Sequence, residues 1–199
     1  MHKRFQEMLV RYAHEPNLEE RQLLEASLWR EYGVVKAVLV LDLSGFSQLT
    51  QKYGIVHYLS MVRRMQLVSE PIVRESGGEI IKFEADNLFA MFDQPEQAVR
   101  AAIALNAAFF EINVYTAEQF DIRVSIGIDF GEILLISGRD FFGAPVIRAS
   151  KLGEEVAGPG EILITESAMA ALPDAAAVKG ESLHLTLSGI QVDAYSIRC

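Results

Sequence analysis

The stretch VLVLDLSGFSQLT, residues 38–50, constrains the fold of this chain more than any other part of it. Residues 37–41 are apolar, Leu43 is apolar again, and Asp42 stands between them. The run over residues 34–41 predicts a buried strand. A carboxylate closing such a strand is costly unless a cation or hydrogen bonds compensate its charge. The pattern then breaks into Ser44-Gly45-Phe46, a turn that enters a short helix over residues 44–52.

The remaining periodicities set this strand in an α+β frame. Residues 1–33 form a helical lead-in with Leu18, Leu23 or Leu24, and Leu28 on one stripe, ended by Gly33. After Gly54 a long helix carries Leu59, Val62, Met65, Val68 and Ile72, with Pro71 expected to kink or open it. The segment ESGGEIIKFEADNLFAMF predicts a hairpin turning at Ala85-Asp86-Asn87. Pro95 opens an amphipathic helix through Ala98, Ala102, Leu105, Phe109 and Ile112. Ile122, Val124, Ile126 and Ile128 alternate as a strand with one buried face, and Gly131 separates it from EILLIS. A helix over residues 146–156, the strand in GPGEILIT and a C-terminal hairpin complete the order. It implies an antiparallel sheet with helices on one face.

With 199 residues, half of them apolar, the chain can bury one substantial core. A net charge of −9 argues against a nucleic-acid surface, which needs clustered Lys and Arg. No apolar run approaches the roughly twenty residues of a membrane span, and MHKRFQEMLVRYAHEPN is too polar for a secretory signal. Cys199 is the one cysteine, which excludes a disulfide framework. These features read as a cytoplasmic protein.

Asp42 and Asp86 are the candidate metal ligands. If their strands are neighbours, as in a split βαβ arrangement, two hard oxygen ligands projecting from the same sheet edge could hold Mg²⁺ or Mn²⁺. The alternative makes Asp42 a helix N-cap and Asp86 an ordinary turn residue. Ser44, Gly45 and Phe46 offer backbone N–H groups at a helix N-terminus, where an anion is favoured; otherwise Gly45 only permits a sharp turn. His2, His14, His57 and His184 lack metal-ligand spacing, and Trp29 reads as a packing residue.

In order and spacing, LDLSGF, IIKFEADNLFAMF, VSIGIDFGE and DFFGAPVIRASKL resemble the successive motifs of class III nucleotidyl cyclase catalytic domains over residues 34–170. The resemblance places a catalytic domain at residues 34–199, after a lead-in at 1–33. It implies a ferredoxin-like palm and a head-to-tail homodimer with two active sites across the interface. It also implies two divalent cations held by Asp42 and Asp86, with the Leu43 carbonyl assisting. The implied reaction is that of a phosphorus–oxygen lyase making 3′,5′-cyclic AMP and pyrophosphate from ATP. Lys82 and Asp140 match the pair that selects adenine, since N1 accepts and the 6-amino group donates.

Three positions depart from the family pattern, two of them on one helix. Ile147 stands where an asparagine usually orients the ribose, and Lys151 where an arginine usually stabilises phosphate charge. Lysine keeps that charge without the planar fork. Arg148 is one residue off the required helix face, and Ala85 replaces a glycine before the second metal acid. The competing expectation is therefore a nucleotide-binding or regulatory module with little turnover. A diguanylate-cyclase relative is disfavoured by FEADNLF at the hairpin. Residues 1–33 fit either a dimerising helix or a docking segment for a regulatory protein.

Overall fold

A computed structural model describes residues 2–136, 140–173, 180–187 and 189–197. The lead-in is two helices, α1 (His2–His14) and α2 (Leu18–Tyr32). They are separated because the Asn17 side chain accepts the Glu19 and Glu20 amides and so caps a new helix. Leu24 and Leu28 are buried, while Leu18 and Leu23 face solvent. Phe5 of α1 meets Tyr32 edge-on at 5.1 Å and lies parallel to Phe142 at 6.2 Å, which docks the pair on the sheet.

From Gly33 the chain continues as β1 (Gly33–Leu43), α3 (Phe46–Tyr53), α4 (Ile55–Glu75), β2 (Glu79–Glu84), β3 (Asn87–Phe92) and α5 (Pro95–Asn113). It then forms β4 (Val124–Ile136), β5 (Asp140–Phe142), α6 (Ala144–Lys151), a π-helical turn (Leu152–Val156), β6 (Ile162–Thr165), α7 (Glu166–Ala170), β7 (Gly180–Leu187) and β8 (Ile190–Ile197). The strands form one sheet in the order β2-β3-β1-β4-β6-β8-β7, with β5 folded back on β4. No helix among the described residues is long and apolar enough to cross a membrane.

The sheet is not wholly antiparallel: β4 and β6 run parallel, because α6 and the π turn cross over between them. Nor are the helices confined to one face. Leu39, Leu41 and Leu43 pack with Met61 and Met65 of α4 and Leu105 and Phe109 of α5. Val38 and Val40 point the other way, onto Ile133, Phe141 and Ala149 of α6. Cover on both sides is why β1 is apolar without alternation. For the same reason Ser125, Gly127 and Asp129 of β4 are buried, where alternation predicted a solvent face. Gly131 pairs with Lys36 in an unbroken ladder and does not end β4. On α4, Met61, Val62, Met65, Ser69 and Val73 form the buried stripe, Leu59 is exposed, and the helix continues through Pro71 to Glu75.

The crossover sits unusually close to the sheet. A Cβ built on Gly127 would lie 2.0 Å from the Ala149 carbonyl oxygen and 2.6 Å from the Gly153 nitrogen. A Cβ on Gly153 would meet the Val40 carbonyl oxygen at 3.0 Å. Backbone thus rests on backbone, and neither contact can yield by side-chain rotation. Gly127→Ala is expected to cost about 3 kcal/mol or more, at the upper end of overpacking penalties. Gly158→Ala, where the nearest atom is the Glu161 carboxylate at 3.6 Å, is the control and should change stability by less than about 0.5 kcal/mol. Denaturant unfolding of both variants checks this.

Candidate active site

Asp42 is the penultimate residue of β1 and pairs with Ser125 of β4. On its other side Leu41 pairs with Leu88, so the β2–β3 turn holding Asp86 lies against the same end of the strand. This is an end of the sheet's interior and not a sheet edge, because β1 is flanked on both sides. Asp42 does not cap a helix: the residue before α3 is Gly45, in the left-handed region at φ 75°. Asp86 does occupy a tight turn, and Ala85 beside it adopts φ 52° despite its Cβ. That conformation costs an L-residue on the order of 1 kcal/mol.

Burial first, then the charges of Asp86 and Glu154, push the Asp42 carboxyl up to about 7, against a hydrogen bond from the Leu43 backbone. Burial also raises Asp86. Glu154 of the π turn is raised by burial, then by Glu155, Asp86 and Glu84, with Lys151 opposing. Carboxylates from β1, the hairpin turn and the crossover therefore crowd one region with too little positive charge to balance them. A hard divalent cation fits this donor set. No ready-made cage of three or more such side chains exists among the described residues. Two carboxylates with the Leu43 carbonyl match Mg²⁺, which takes few protein ligands and completes its shell with water and phosphate oxygens.

Ser44 is less available than the sequence implied. Its N–H donates to the Arg123 carbonyl at 2.9 Å, and its hydroxyl lies 3.2 Å from that of Ser125. Gly45 is exposed, and no side chain caps α3. The Phe46 side chain lies outside the described residues.

Lys82 and Asp140, distant in sequence, meet. Lys82 Nζ is 3.2 Å from Asp140 Oδ1 and 3.0 Å from Glu84 Oε2, and sits 5.0 Å above the Phe89 ring. Burial opposes its charge, but hydrogen bonds from Lys82 to Glu84 and Asp140 raise the ammonium above its ordinary value. Asp140 is itself oriented by the Phe141 N–H at 2.9 Å. A donor and an acceptor are thereby held side by side.

The helix that should complete the site departs as its sequence indicated. Ile147 is 52% exposed and offers no hydrogen bond. Lys151 pairs with Glu155 at 3.0 Å. Arg148 cannot stand in for it, because its Nε donates to Asp129 Oδ2 at 2.6 Å. Asp129 is fully buried and also accepts from Thr165 Oγ1 at 2.5 Å and Ser167 Oγ at 2.8 Å. Removing one partner of such a network leaves an uncompensated charge, so Arg148 is held. Sequence reasoning missed Asp129, whose position in an alternating strand mimicked a solvent face. It also missed Glu154, which nothing in the sequence marks, since its place depends on the π turn. His57 packs between Tyr53 and Phe120, and His184 bonds Asp193 at 2.7 Å.

No protein-family model matches the chain. Uncharacterized proteins of Mycobacterium tuberculosis and Mycobacterium bovis are 31% identical over 133 residues, covering 67% of this chain and 33% of theirs. The chain thus spans about a third of the length of these curated relatives. Among solved structures, an adenylate/guanylate cyclase/hydrolase from Silicibacter pomeroyi matches with a TM-score of 0.69 and 26% identity, over 83% of this chain and 96% of that one. The adenylyl cyclase CyaB from P. aeruginosa shares the fold, with a TM-score of 0.68 and 19% identity over 84% and 96% of the two chains. With its four motifs in register on this sheet, the chain shares the fold of class III adenylate/guanylate cyclase catalytic domains.

Proposed function

We propose that this domain converts ATP to 3′,5′-cyclic AMP and pyrophosphate at a site shared between two copies of the chain, with Mg²⁺ or Mn²⁺. The observation that carries this reading is the juxtaposition of Lys82 and Asp140 at 3.2 Å in a domain whose Asp42 and Asp86 lie at one end of the sheet. Lys82 donates to adenine N1 and Asp140 accepts from the 6-amino group, whereas guanine presents the reverse pattern. Asp42, Asp86 and the Leu43 carbonyl hold the cations, and first-turn amides of α3 face the phosphates. When bound, the cations neutralise the triphosphate and acidify the ribose 3′-hydroxyl. Lys151 retains a positive charge for the phosphates without the fork of an arginine. A regulatory protein would reach the site through α1, since Phe5 stacks on Phe142, two residues beyond Asp140.

A second reading is favoured by α6 itself. With Ile147 exposed, Lys151 paired to Glu155 and Arg148 held by Asp129, the domain binds nucleotide and signals with little turnover.

Purified protein with ATP and Mn²⁺ is expected to release cyclic AMP and pyrophosphate, and Asp42→Ala to lower the rate at least about a hundredfold. Equal output from the two sinks the cyclase reading. Ile147→Asn with Lys151→Arg is expected to raise turnover about a hundredfold with ATP affinity nearly unchanged; a wild type already at that rate removes the second reading. Mixing Asp42→Ala with Lys82→Ala chains should restore activity if the site is shared, and failure in confirmed mixed dimers removes the shared site.

Charge crowding gives a test independent of turnover. An aspartate raised on folding is protonated in both states below its ordinary value near 4, and destabilises the fold as pH rises toward about 7. In chelator, the melting temperature of wild type should therefore fall relative to Asp42→Asn across that window, leaving the variant the more stable at pH 8. Added Mn²⁺ should raise the melting temperature of wild type and not of the variant. Thermal denaturation against pH reads both effects.

A further inference from the structure

Asp86 stands on a turn that needs outside support. Its hairpin ends in β2, the edge strand of the sheet, whose pairing with β3 shifts register between Ile80 and Lys82. Ala85 beside it holds a left-handed backbone, which persists only where the surroundings impose it. One described side-chain hydrogen bond reaches the turn end of the hairpin from the crossover: Asn87 Nδ2 donates to Glu154 Oε1 at 3.1 Å.

Glu154 is well placed to impose a position. It follows Gly153, whose backbone lies against Val40 and Gly127, so it is fixed to the strand pair that carries Asp42. Its charge acts on Asp42, and the charge of Asp86 acts on it, which places the three side chains within one region. The Asn87–Glu154 bond therefore links the carriers of the two candidate ligands, the hairpin turn and the β1–β4 frame, by a path separate from the strand ladder.

We propose that Glu154 is a positioning residue for the cation site: by accepting from Asn87 it fixes the β2–β3 turn, and with it Asp86, at the Asp42 end of β1. The inference rests on the reading that Asp42 and Asp86 hold a divalent cation. Glu154 acts through its hydrogen bond, so an amide oxygen at the same place serves equally well. Partners one step removed from a metal typically change its affinity about 10- to 100-fold.

The test is Mn²⁺ binding to the full chain without nucleotide, read by calorimetry and by the spin-resonance signal of free Mn²⁺. Glu154→Ala is expected to weaken binding about tenfold. Glu154→Gln, which keeps the acceptor and loses the charge, should stay within about threefold of wild type. Asn87→Ala should lose as much as Glu154→Ala, and the double variant no more than either, the signature of one shared interaction. Melting temperatures taken in chelator identify any variant that fails to fold. If Glu154→Gln binds as weakly as Glu154→Ala, the charge and not the hydrogen bond matters, and the proposal is overturned. Alanine variants that bind like wild type overturn it too. A wild type that binds no Mn²⁺ overturns the cation reading itself, whatever the Glu154 variants do.

Discussion

The direct contact of the α6 crossover with β4 at Gly127 sets most of what is distinctive in this domain. Because a Cβ there would fall 2.0 Å from the Ala149 carbonyl oxygen, helix and sheet meet through backbone and their relative position is fixed. From that contact, Arg148 turns inward to the buried Asp129, Ile147 is left facing outward, and the π turn delivers Glu154 to the end of the sheet where Asp42 lies. A π turn widens a helix by one residue at that point, an irregularity common beside functional sites.

The electrostatics of the two halves of the site differ in kind. At the Asp42 end, the Asp42 and Asp86 carboxyls are held without enough compensating charge, which destabilises the empty fold and favours whatever cation enters. At the Lys82 end, donor and acceptor satisfy each other before any ligand arrives. Binding there exchanges one set of hydrogen bonds for another, so its contribution is selectivity more than affinity. Neither half requires the groups missing from α6. On the proposed reading, residues 147 and 151 are where binding and turnover part.

Much of the frame is legible in the sequence for simple reasons. Tight turns announce themselves through glycine and aspartate, and long helices through apolar spacing, so the hairpin around Asp86, α5 and the C-terminal hairpin stand where periodicity places them. Two of the errors share one cause. Alternation in β4 implies one dry and one wet face, but the crossover covers the second face and buries Ser125, Gly127 and Asp129. The same crossover makes β4 and β6 parallel. Gly131 looked like a break and is not, because the ladder with β1 continues through it.

By itself, the sequence determined two candidates, Asp42 at the end of an apolar run and Asp86 in a turn; its resemblance to the cyclase family added Lys82 and Asp140 as a donor and an acceptor, and the departures at Ile147 and Lys151. These follow from local pattern and from motif resemblance, which tertiary contacts do not alter. Only the tertiary structure decided that Lys82 touches Asp140, that Arg148 is bound to Asp129, and that Glu154 joins the acidic region through Asn87. Each of those depends on where the crossover rests on the sheet. That position is set by two glycines whose close backbone approach leaves no periodic trace in the chain.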